Sequence, residues 1–210
     1  MAEKVKNPLI IGLTGSIAAG KSEVAACFAK LGADIVCADM LAKQALKPGS
    51  SVYKKIAKKF GKEALHPDGS VCREFIAKKV FSDAKLKKWL EMQVHPIVII
   101  ESLEAFRRTN RSIVVFDAPL LFEAGAQDMC DVTVCVCAQR SVRLERAKRR
   151  DWSRAEFAAR EKSQFPESRK AALADVIIEN SGSKTALAAK ITKLYRALNS
   201  LAIGGPRDRN

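Results

Sequence analysis

Apolar residues cluster along this chain in five short runs, at residues 9–14, 33–38, 112–117, 131–137 and 175–179, each rich in β-branched side chains. Runs of this length, apolar at consecutive positions, spell strands covered on both faces. A helical pattern stands between each run and the next, so the order predicts an α/β fold built on a five-stranded parallel sheet. Val24, Phe28 and Leu31 recur at helical spacing before a stop at Gly32, and Val52, Ile56 and Phe60 do the same before Gly61. Asp83 is placed as the N-cap of a helix carrying Leu86, Trp89, Leu90 and Val94, and Pro96 opens another with Ile97, Ile100, Leu103 and Phe106. Residues 46–108 therefore read as a helical insertion between the second and third strands. Ser153 with Glu156 is a capping-box signature, which predicts a break near Asp151 between an Arg-rich helix and the next. Leu187, Ile191, Leu194, Leu198 and Leu201 predict a closing helix, after which residues 204–210 lose all pattern and read as a disordered tail.

Composition narrows the class. At 210 residues, 48% hydrophobic and 29% charged, the chain matches one globular domain with insertions and not a disordered segment. Lysine and arginine number 37 against 23 acidic residues, and the net charge of +14 draws polyanions: nucleic acid, anionic membrane or polyphosphate metabolites. A solvated basic surface has the same composition, so charge alone does not choose among them. The six cysteines include no CxxC pair and have only His66 and His95 to help them, so no structural zinc site is spelled. Cys135 and Cys137 alternate with valine in the fourth run and read as small buried hydrophobes. After Lys4 and Lys6 the apolar run ends at Leu13, far short of a signal sequence or a membrane span, which leads us to expect a cytoplasmic protein with no membrane partner.

The strongest chemical signal is GSIAAGKS at residues 15–22. It fits G-x-x-x-x-G-K-[ST], and it follows the first strand and opens the first helix, the context a phosphate-binding loop requires. Gly15 and Gly20 let the backbone wrap around phosphate oxygens and present N–H donors, with the helix N-terminus adding partial positive charge. Lys21 reaches the β and γ phosphates of a nucleotide, and the Ser22 hydroxyl is placed to hold Mg²⁺. Gly15, Ser16, Ile17, Ala18, Ala19, Gly20, Lys21, Ser22 and Glu23 together form the candidate ATP site. Asp39 lies at the carboxyl end of the second strand, where ligands of open parallel sheets sit. Its carboxylate can take the proton of an attacking hydroxyl or position Mg²⁺; an N-cap for a helix over residues 40–46 is the plain alternative. Asp117 ends the third run either as the metal-supporting acid of a Walker B strand or as a simple strand-end residue, and Glu123 falls near the site mouth. Arg143, Arg146 and Arg150 share one helical face beside Arg149; an arginine in such a site accelerates phosphoryl transfer by about 10³ to 10⁵, although arginines on helices are usually solvated. His95, before Pro96 and between two apolar helices, reads as a satisfied buried histidine.

Taken in order, these residues resemble the dephospho-CoA kinase family over nearly the whole chain. The likeness runs through GLTGSIAAGKS, CADMLAK around Asp39, Pro48-Gly49, Phe60-Gly61, DGSVCRE ending at Glu74, VFSD, His95-Pro96, DAPLLFE ending at Glu123, RRD ending at Asp151, Gln164, and ADVIIENSGS ending at Ser183. The resemblance implies an adenylate-kinase-like core (residues 1–45, 109–140 and 170–203), a helical CoA-binding insertion and a lid at residues 141–169. It implies transfer of the ATP γ-phosphate to the ribose 3′-hydroxyl of dephospho-CoA with Mg²⁺, Asp39 as base, and Arg146 in the lid. Arg73, His95 and Glu123 would belong to the acceptor site and Asn180 and Gly182 to the loop beside the adenine. Cys37 stands where an acid is frequent, Ser16 and Ala18 replace frequent glycines, Glu23 replaces a common threonine, and members tolerate an apolar residue in place of Asp117. Another small-molecule kinase of the same architecture, such as a nucleoside monophosphate kinase, is the alternative enzyme. A basic nucleotide-dependent nucleic-acid-binding protein is the alternative outside enzymes. A GTPase switch would carry Asn-Lys-x-Asp, which the chain lacks, and two anionic substrates account for part of the basic balance without nucleic acid.

Overall fold

The computed structural model describes residues 7–203; the tail expected at 204–210 lies outside the described residues. Strands β1 (Leu9–Gly15), β2 (Asp34–Cys37), β3 (Ile113–Asp117), β4 (Val132–Cys137) and β5 (Val176–Glu179) form one sheet in the order β2-β3-β1-β4-β5. β1 runs parallel to β3 and to β4, and β5 runs parallel to β4, as the alternation of strand and helix patterns predicts.

Every residue of β1 and β3 is buried. Successive side chains of a strand face opposite sides, so Leu9, Ile11 and Leu13 share one face with Ile113, Val115, Val134 and Val136. Helices α1 (Lys21–Lys30) and α9 (Lys184–Ile203) cover that face through Val24, Phe28, Leu187, Ile191 and Leu198. Truncating one of these large side chains to alanine costs about 2–5 kcal/mol. Gly12 is fixed by crowding, since a Cβ there would stand 2.7 Å from Cys130 Sγ and 2.9 Å from Leu121.

Coverage on both faces stops at the sheet edges, where Ile35 of β2 is 36% exposed and Ile177 of β5 is 54% exposed, because an edge strand meets fewer neighbours. Asp131 and Asp175 also stand outside the strands they were expected to begin. Each accepts from a strand N–H that has no ladder partner: Asp131 Oδ2 from Ile10 at 2.7 Å, and Asp175 Oδ2 from the Thr133 N–H at 2.8 Å and its hydroxyl at 2.7 Å.

The chain divides into two compact units, with breaks between Val36 and Cys37 and between Glu104 and Ala105. The inner unit is helical: α2 (Ala38–Ala45), α3 (Ser51–Phe60), α4 (Arg73–Ser82) and most of α5 (Ala84–Arg108). It begins with α2 and not at residue 46, because Ala45 and Leu46 pack with Val52, Ile56, Ala64, Val71 and Ile76 in one core. Ser50 caps α3 by accepting from Tyr53 N–H at 3.0 Å, and Asp83 accepts from Lys85 N–H and Leu86 N–H at the start of α5. Pro96 does not open a second helix; it lies inside the continuous α5. Its ring removes the N–H that would bond the Met92 carbonyl, yet Trp89, Leu90, Val94 and Ile97 all face the same core, so the stripe carries the helix past it.

The sheet unit also holds α6 (Arg140–Lys148), α7 (Arg154–Lys162) and α8 (Glu167–Leu173). The Ser153–Glu156 capping box forms in full, and the break before it is made by Asp151 at φ 58. Leu201, expected on the buried stripe of α9, is exposed. Among the described residues no helix is long and apolar enough to cross a membrane. The six cysteines are free, with Cys135 and Cys137 buried as expected of small apolar residues.

Candidate phosphate-binding site

β1 delivers the chain to Gly15, residues 16–20 turn, and α1 opens at Lys21. Each motif glycine has its own reason. A Cβ on Gly15 would stand 2.6 Å from the Val136 carbonyl oxygen on the neighbouring strand, and one on Gly20 would stand 2.2 Å from Asn180 Nδ2. Gly20 also has φ 98, in the left-handed region that glycine enters without steric cost. The loop closes on itself and on the sheet through Ala19 N–H to Ser16 O (3.0 Å) and Ser16 N–H to Val136 O (3.3 Å). Ala18, standing where glycine is frequent, takes φ 60, which costs about 1–2 kcal/mol in a residue with a Cβ. Its methyl is buried against Ala147 and Phe157, beside Ile17, Leu144 and Trp152, which works against that cost.

The Ala19 carbonyl accepts two hydrogen bonds, from Arg146 Nη1 and from Asn180 Nδ2, both at 2.8 Å. Arg146 Nη2 donates in turn to the Asn180 carbonyl at 2.8 Å, and the Asn180 N–H donates to Cys137 O at 2.8 Å. Arg146 and Asn180, singled out on separate grounds, thus meet at the loop. Asn180 is buried, whereas Gly182 is exposed with open space around it. Arg143 and Arg150 do not join them: Arg143 neighbours Arg146 on α6 but is taken up by other partners, and Arg150 lies beyond the end of α6 at Lys148. Arg143 is buried, donates from Nε to Ala138 O at 3.1 Å and pairs with Glu161 at 2.9 Å; Arg150 stacks on Trp152.

Asp117 is more than a strand-end residue. The register that sets Asp117 beside Leu13 brings its carboxylate into an ion pair with the Lys21 ammonium, and both side chains are largely buried. No side chain caps α1, which leaves its first N–H groups directed at the loop. Ser22 is exposed on this first turn, and Glu23 pairs with Lys184 at 3.3 Å, which answers the charge it brings near the loop. Among the described residues no group of three or more His, Cys, Asp or Glu gathers as a metal cluster.

Glu123 has a partner that the sequence does not reveal. Its Oε1 accepts from the Phe165 N–H at 2.8 Å and pairs at 3.0 Å with Lys170, whose side chain is fully buried. Nothing in the charged, alanine-rich segment around Lys170 distinguishes that lysine from a solvated one. In the helical unit, Asp39 is exposed in the first turn of α2 and is not its N-cap, a position that Cys37 occupies. Arg73 opens α4 and lines a cavity of about 350 Å³ together with Lys43, Lys47, His66, Ser70 and Glu74. His95 lies within α5, half-buried instead of fully enclosed.

The chain is similar to known proteins over most of its length. The family model described as dephospho-CoA kinase matches residues 9–186. A dephospho-CoA kinase of Anaeromyxobacter dehalogenans is 41% identical over 193 residues, covering 90% of this chain and 92% of that protein. A crystal structure from Thermus thermophilus is 35% identical with a TM-score of 0.81, covering 92% of this chain and 99% of that one. The structure of a Campylobacter jejuni dephospho-CoA kinase is 26% identical with a TM-score of 0.69, covering 92% and 98%. A chain matched over this length, with its phosphate loop built as described, belongs to the dephospho-CoA kinase family.

Proposed function

We propose that this chain transfers the γ-phosphate of ATP to the ribose 3′-hydroxyl of dephospho-CoA, giving CoA and ADP. The observation that carries the reading is the loop at residues 15–20, held on its Ala19 carbonyl by Arg146 and Asn180 and facing Lys21, in a chain of this family. The loop N–H groups and the α1 N-terminus receive the β and γ phosphates, and Lys21 turns from Asp117 to them. The donors at hand fit Mg²⁺, because the Ser22 hydroxyl and the Asp117 carboxylate are hard oxygen ligands and this ion takes its remaining ligands from water and substrate phosphates. When bound, the ion neutralises charge on the phosphates. Asp39 takes the proton from the attacking hydroxyl. Arg146, on the lid formed by residues 141–169, offers its remaining donors to the transferring phosphoryl group, and Asn180 and Gly182 border the adenine. The acceptor's own phosphates lie in the basic cavity of Arg73, Lys43, Lys47 and His66 in the helical unit, with His95 supporting that unit on α5. Glu123 serves Lys170 in place of the acceptor.

Two anionic small molecules account for part of the +14 charge without nucleic acid. The test is an acceptor screen with purified protein and ATP: ADP release is expected with dephospho-CoA and not with nucleoside monophosphates, and the reverse selectivity overturns the reading.

A further inference from the structure

Lys170 is a charged side chain with no exposed surface that plays no part in the reaction described above. An ammonium has three N–H donors and no acceptor; Lys170 donates to Pro119 O at 2.7 Å and to Gln164 Oε1 at 3.0 Å, and its charge pairs with Glu123 Oε1 at 3.0 Å. Pro119 O is shared, for it also accepts from the Thr14 hydroxyl at 3.1 Å, one residue ahead of the phosphate loop. Ala118 N–H donates to Leu13 O at 3.0 Å, so the segment leaving β3 is tied to β1 at two successive residues. Two residues before Pro119 stands Asp117, the partner of Lys21. The cation therefore pins the turn that follows β3 at its start, through Pro119, and at its end, through Glu123.

We infer that Lys170, through Pro119 and Glu123, is a positioning residue that holds Asp117 against Lys21 and so sets the charge geometry of the phosphate loop. Burial makes the device stiff: a cation withdrawn from water, held by two hydrogen bonds and one carboxylate, has no alternative arrangement of similar energy. Lysine is suited to it because three separate acceptors converge on one point, whereas the planar fork of arginine is built for bidentate partners. Glu123, whose second oxygen is buried without a hydrogen-bond partner among the described residues, belongs to the same device.

The inference rests on the proposed phosphoryl transfer for one of its readouts and is independent of it for the other. Four proteins are compared at a temperature well below each one's own melting midpoint: wild type, Lys170→Met, Lys170→Arg and the double variant Lys170→Met/Glu123→Gln. The first readout is kcat with dephospho-CoA; the second is labelling of Lys21 by an amine reagent, followed by mass spectrometry without substrates. Lys170→Met leaves Glu123 without its cation and is expected to melt earlier, while the double variant removes both charges and regains most of that loss. Positioning predicts that the double variant nevertheless keeps kcat about 10- to 100-fold below wild type and labels Lys21 faster. Lys170→Arg, which keeps the charge, falls between the double variant and wild type in both readouts. Wild-type kcat and wild-type labelling in either Lys170→Met protein would mean that the lysine only stabilises the fold, and the inference is overturned. A wild type that labels as predicted against the variants but does not turn over dephospho-CoA overturns the proposed reaction and leaves the positioning role standing.

Discussion

Gly20 meets two constraints at once, a left-handed backbone and the amide of Asn180 lying where a Cβ would go. A substitution there cannot be absorbed by rotating a flexible side chain, since Asn180 is itself buried and bonded through Nδ2 to Ala19 O. Gly20→Ala is expected to lower stability by about 2–4 kcal/mol, the sum of backbone strain and overpacking, and to weaken ATP binding; denaturant unfolding with a parallel ATP titration checks both. Gly49 has φ 90 but nothing within 4 Å of a Cβ position, so Gly49→Ala carries the strain alone and leaves ATP affinity unchanged. The glycine-lysine spacing made the loop readable from the sequence. The reason for Gly20 was not readable, because Asn180 follows it by 160 positions and only the sheet order, with β4 between β1 and β5, makes them neighbours. Lys170 escaped for the same cause: its three acceptors come from separate parts of the chain, and a lone lysine in a short charged helix looks solvated.

At the scale of elements, strands were read more truly than helices, and the physics of each says why. A buried parallel strand is an unbroken apolar run, and all five were found within a residue or two at their ends. Among the end residues that fall outside the strands, the aspartates at 131 and 175 serve them by accepting from strand N–H groups. The Thr133 hydroxyl and N–H hold the Asp175 carboxyl below its ordinary range. A carboxyl depressed on folding contributes stability above its unfolded pKa and loses it as pH falls through the folded value. Asp175→Asn is therefore expected to melt below wild type at neutral pH, with the gap closing as the pH is taken below the usual carboxylate range; a gap that stays constant with pH contradicts this role. Proline misled the reading of α5, since local geometry argued for a boundary that tertiary packing of Trp89, Leu90, Val94 and Ile97 overrode. Replacing that proline restores a backbone donor, so Pro96→Ala is expected to raise the melting midpoint, by up to about 3 kcal/mol of stability; a lower midpoint means that α5 depends on the break. Helices α4 and α8 went unread because, among the described residues, α4 buries the single apolar residue Ile76 and α8 buries only Lys170, which leaves no apolar period to detect.

For the molecule as a whole, the two units divide the chemistry. The sheet unit carries the loop, Lys21, Asp117, Arg146 and Asn180, with Lys170 behind them. The helical unit carries Asp39 and the basic cavity with Arg73. The sequence reading sets Asp39 in the core at residues 1–45 and Arg146 in a lid at residues 141–169, a different grouping, and the acceptor follows from the ordered resemblance of the motifs and not from charge or periodicity. Among the predicted site residues, those of the loop fell together with Arg146 and Asn180, whereas Glu123 turned out to be engaged elsewhere. The most direct test of the central claim is phosphorus NMR of dephospho-CoA incubated with ATP, Mg²⁺ and the wild-type protein. A new phosphomonoester resonance correlated with the ribose H3′ proton, rising as the ATP γ signal falls and absent with Lys21→Ala, is the result predicted. Loss of the γ signal to free phosphate, or a phosphomonoester on any other carbon, would contradict it.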